Sequence, residues 1–80
     1  MADTHADYLR SLGQKIRSDA EVAKLDLDSV PGSERRDSFL QGRLIAYVEV
    51  LSLMQQEAQA LAVPLRDLSL DGFDPERDLL

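Results

Sequence analysis

A single histidine, His5, is the first place to look for acid–base or metal chemistry in these 80 residues. A hydrolytic triad needs its histidine held between a nucleophile and an orienting carboxylate. His5 falls instead in the first turn of the first expected helix, where backbone frays, and its role is read as structural or incidental. The chain has no cysteine, which excludes disulfides and thiolate metal ligands. Carboxylates are plentiful, and Asp26-Leu27-Asp28 begins like a calcium loop. Val30 then stands where a third ligand belongs, Pro31 stands where the loop needs glycine, and the closing bidentate glutamate is missing. The Glu-x-x-His pairs of di-metal helical bundles are absent. Gly13, Gly32, Gly42 and Gly72 are isolated from one another, so there is no phosphate-cradling loop. These residues point to no catalytic group, no metal site, no cofactor and no enzyme.

Charge narrows the partners. Fifteen acidic against nine basic residues leave a net charge of −6. The longest basic cluster, Arg35-Arg36, is flanked by Glu34 and Asp37. Neutralised phosphates supply most of the affinity for nucleic acid, so direct nucleic-acid binding is not expected. The longest apolar-rich stretch is broken by Arg43, Glu49 and Glu57 and is too short to span a bilayer. The N-terminal residues show no basic segment followed by an apolar run. A cytoplasmic protein is therefore expected.

Two segments carry helical periodicity. The first runs from about Thr4 to Asp26, with Thr4 and Asp7 spaced as a capping box. At 100° per residue, His5, Leu9, Leu12, Ile16, Ala20, Ala23 and Leu27 form one narrow stripe. Val30, Pro31, Gly32 and Ser33 interrupt it, Pro31 disfavouring helical angles at Val30 and Ser33 offering an N-cap. The second helix is expected from about Ser33 to Ala62, before Pro64. There Leu40, Leu44, Tyr47, Leu51, Met54, Ala58 and Leu61 repeat with the alternating four-three spacing of a packing seam. Phe39, Ala46, Val50 and Leu53 make a second stripe beside it, and Ile45 is the one misfit on the polar face.

The two helices are unequal partners. A narrow stripe cannot cover an apolar arc about twice as wide, so an antiparallel hairpin leaves part of the second helix bare. The simplest cover is a second copy, giving a two-fold four-helix bundle. That architecture resembles small hairpin-dimer bundles such as the plasmid copy-number regulator Rop. Those bind RNA through basic faces, and with no basic face here that function does not carry over.

The expected interface consists of Phe39, Leu40, Arg43, Leu44, Tyr47, Val50, Leu51, Met54 and Leu61. Arg43 and Glu57 are the polar residues within the arc, read either as a snorkelling rim or as an interface pair. Residues 63–80 form a separate acidic tail beyond the 1–62 hairpin. It bears Asp67, Asp71, Asp74, Glu76 and Asp78, with a turn at Asp71-Gly72 and a short helix signalled by Asp74-Pro75-Glu76. Its apolar residues either fold back on the bundle or dock on a partner, in which case Leu68, Leu70, Phe73, Asp74 and Leu79 would carry the contact.

The sequence thus describes an all-α hairpin that dimerises and binds and modulates an unidentified protein. The alternative is an acidic decoy that occupies a basic nucleic-acid-binding surface of a larger protein. A structural subunit of an assembly fits the same features.

Overall fold

The computed structural model describes residues 4–29 and 34–80, and every regular element in it is helical. Helix α1 spans Thr4–Asp28 and α2 spans Glu34–Ala60. A 3-10 turn follows at Leu65–Leu68, then the short helix α3 at Pro75–Leu79. The link containing Val30, Pro31, Gly32 and Ser33, with its expected turn and cap, lies outside the described residues.

The long helices pack antiparallel. Asp26, near the end of α1, pairs with Arg43 in the first half of α2 at 3.3 Å. Leu9, near the start of α1, shares a groove with Met54, Ala58 and Leu61 at the far end of α2. The α1 stripe holds over its second half, where Ala20 and Ala23 are fully buried and Ile16 and Leu27 pack against the core. It loosens toward the N-terminus, where His5, Leu9 and Leu12 are exposed and Gly13 is buried instead. On α2 the seam residues Leu40, Leu44, Leu51 and Ala58 are buried, as expected from their spacing. Val48, which belongs to neither sequence stripe, is also buried at 8% exposure.

The α2 helix ends for a local reason. Ala62 adopts left-handed angles at φ 57°. Val63 N–H then donates to the Ala58 carbonyl at 2.7 Å and Ala62 N–H to that of Gln59 at 3.2 Å. This is a Schellman cap, followed by Pro64, which bars a return to helix. The same device closes the 3-10 turn, with Ser69 at φ 59° and Leu70 N–H bonded to the Leu65 carbonyl at 3.0 Å.

The last eighteen residues are not an appendage. Leu51, Leu70 and Leu79 are the largest fully buried side chains, and two of the three come from residues 63–80. Leu68 and Phe73 join them in the same cluster as Ala20, Ala23, Leu44 and Val48. The segment runs from the end of α2 along one flank of the hairpin, past Arg10 and Arg17, to Lys24 and Leu25. It covers a side, not merely an end.

Candidate functional site

Two surfaces of the hairpin must be distinguished, the flank that residues 63–80 occupy and the flank they leave open. The occupied flank is built on α1 positions one turn apart. Gly13 meets the Leu68 backbone so closely that any Cβ would fall inside the Leu68 carbonyl. One turn on, the Arg17 guanidinium donates to the Ser69 carbonyl at 3.1 Å and lies 4.7 Å from the Phe73 ring centroid. One turn back, the Arg10 carbonyl accepts the Ser69 hydroxyl at 3.0 Å. From α2, Gln55 donates to the Phe73 carbonyl at 2.8 Å. Each of these bonds satisfies a backbone or hydroxyl group in the irregular stretch between the 3-10 turn and α3.

Helix α3 is held by its own cap. Asp74 accepts from the Glu76 and Arg77 amides at 3.0 and 3.3 Å, and Pro75 takes the first helical position, where no amide is needed. Asp78 in turn accepts the Asp74 amide at 2.9 Å and pairs with Arg77 at 2.9 Å. The Arg77 hydrogen bond, then the Asp74 amide, lower the Asp78 carboxyl from 3.8 to about 2. Two of the five carboxylates that a phosphate mimic would present are thus engaged in local structure.

The open flank belongs to α2. Phe39, Val50, Leu53 and Leu61 are 69%, 44%, 58% and 71% exposed, and Ala46 lies exposed among them. At 100° per residue these five fall within an arc of about 80°. Arg43 borders the same arc, stacked 5.9 Å from the Tyr47 ring and turned toward Asp26. At the foot of the flank lies a largely apolar groove of about 240 Å³, lined by Leu9, Met54, Ala58, Leu61, Val63 and Leu68 with Glu57 as its one charged residue.

No family model matches the chain, and no curated protein or solved structure shows significant similarity to it.

The expected interface residues divide between core and surface. Leu40, Leu44 and Leu51 point into the hairpin's own core. Tyr47 and Met54 are half-buried at the seam, and Phe39, Val50 and Leu61 face outward. Of the residues expected to carry tail docking, Leu68, Leu70, Phe73 and Leu79 are buried by the chain itself, and Asp74 is exposed as a helix cap. Sequence reasoning passed over Gly13, Arg17 and Ser69. The available signal was a glycine inside an apolar helical stripe, which marks close backbone approach. His5 is exposed in the first turn of α1. Among the described residues, no three His, Asp or Glu side chains gather as metal ligands, and no helix is long and apolar enough to cross a membrane.

Proposed function

We propose that this chain is a small non-enzymatic protein–protein interaction module, a helical-hairpin homodimer that binds and modulates another protein. The observation that carries the reading is the open flank of α2, where Phe39, Leu53 and Leu61 are each more than half exposed. Burying one such side chain stabilises by ~1.5–3 kcal/mol, and several in one stripe mark an association surface. The chain has already used its own apolar tail on the opposite side, so this flank has no remaining cover within the described residues. A second copy is the partner that requires no further component. The outer faces of α1 and the exposed turns around residues 63–80 would then meet the regulated protein.

Light scattering across a hundredfold concentration range tests the dimer. The expected mass is twice 8.9 kDa, and Val50→Glu should halve it while circular dichroism stays helical, because Val50 makes no contribution to the buried core. A mass of one chain throughout would remove self-association from the reading. Affinity capture with wild type and Val50→Glu then separates partner binding that needs the dimer from binding that does not.

A further inference from the structure

The open flank of α2, taken together with the half-buried seam residues Tyr47 and Met54 at its border, is symmetric in sequence about Val50. Three residues either side stand Tyr47 and Leu53, and four either side stand Ala46 and Met54. Seven either side stand Arg43 and Glu57, of opposite charge, and eleven either side stand Phe39 and Leu61. Apolar residues reflect onto apolar residues, and the one basic residue reflects onto an acidic one.

We propose that two copies pack α2 against α2 antiparallel, about a two-fold axis passing beside Val50, with Arg43 of each copy meeting Glu57 of the partner subunit. This rests on the homodimer reading above and adds its arrangement. A two-fold interface uses the same patch on both subunits, so every contact occurs twice. With the axis at Val50, the charges ~10.5 Å to either side along the helix form two opposite-charge pairs. A parallel pairing of the same faces would set Arg43 against Arg43 and Glu57 against Glu57.

The side chains are available for these roles. Glu57 is exposed and makes no ion pair among the described residues. Arg43 spends one terminal nitrogen on Asp26, and a guanidinium has further donors in the same plane. The Asp26 contact also holds the arginine at the border of the flank instead of letting it sweep through solvent.

Area supports a second copy as the occupant. The chain exposes 5776 Å², whereas a compact monomer of this mass exposes about 4,800 Å². The excess of roughly 1,000 Å² is comparable to the ~800 Å² that each partner contributes to a stable interface. The radius of gyration of 14.3 Å, against ~11.6 Å for a compact chain of this length, reflects the same elongation.

Charge reversal tests the arrangement by light scattering at low salt, where exposed pairs are least screened. Wild type, measured first, should be dimeric. Glu57→Arg and Arg43→Glu, each alone, should raise the dimer dissociation constant at least tenfold, because each makes two like-charge contacts. An equimolar mixture of the two variants should regain wild-type affinity as a heterodimer, since both contacts become opposite in sign. The Glu57 side chain makes no hydrogen bond or ion pair among the described residues, so Glu57→Arg remains informative if Arg43→Glu weakens the fold through Asp26. Single reversals that dimerise as tightly as wild type, or a mixture that stays monomeric, would overturn this arrangement while leaving the homodimer standing. A wild type monomeric at every concentration would overturn both.

Discussion

Two glycines on the long helices show how the same residue type takes opposite roles. At Gly13 a side chain would collide with the Leu68 backbone, which is held by the Ser69 contacts to Arg10 and Arg17 and has no room to retreat. At Gly42 nothing approaches within 4 Å. Glycine in an exposed helix interior costs about 1 kcal/mol relative to alanine, while overpacking a fitted contact costs ~1–3 kcal/mol. Gly42→Ala should therefore stabilise by up to about 1 kcal/mol, and Gly13→Ala should destabilise despite its better helix propensity. Urea denaturation of both variants gives the two signs directly. Ala62 is the converse case, a residue with a Cβ held at φ 57°. Left-handed angles cost a non-glycine residue ~1–2 kcal/mol, so Ala62→Gly should raise the melting temperature by several degrees.

At the scale of elements, α3 shows what holds a helix too short to form alone. Five residues are far below the ~12–15 needed for even a marginal isolated helix. It persists because Asp74 caps it, Pro75 starts it and Leu79 is buried to 1% exposure. Asp74→Ala should cost about 0.5–2 kcal/mol and release the Leu79 and Leu80 amides to fast hydrogen exchange. Acid should act through Asp78. Its carboxyl titrates near 2 when folded against 3.8 as an ordinary side chain, so the folded state favours the ionised form. That contribution is complete above about pH 4 and is lost as the pH falls toward 2. In Asp78→Asn the contribution is absent at every pH, and the dependence of α3 protection on pH across that window should flatten.

For the whole molecule, residues 63–80 share one core with the hairpin that precedes them. Leu70 and Leu79 are fully buried in the cluster that contains Ala20, Ala23 and Leu51. Elements sharing one core unfold together. Far-ultraviolet circular dichroism of the helices and a fluorine label at Phe73 should follow one denaturation curve with one midpoint. A tail that melts first would show as an earlier transition of the label. By occupying one flank of the hairpin, this segment also determines which flank of α2 remains for another chain.

The hairpin itself was legible from local chemistry. Helix spacing, the stop before Pro64 and the Asp74-Pro75-Glu76 start depend on residues within a few positions of one another, and so did the excess of the α2 apolar arc over the α1 stripe. Which part of that arc would be covered depended on contacts between residues more than fifty positions apart. Arg17 reaching Ser69 and Gly13 admitting Leu68 bring the tail to one side, bury Val48 and leave Phe39 and Val50 in solvent. Periodicity along one helix ranks which faces are apolar. It carries no information about which neighbour arrives first, and only the packed chain resolves that competition.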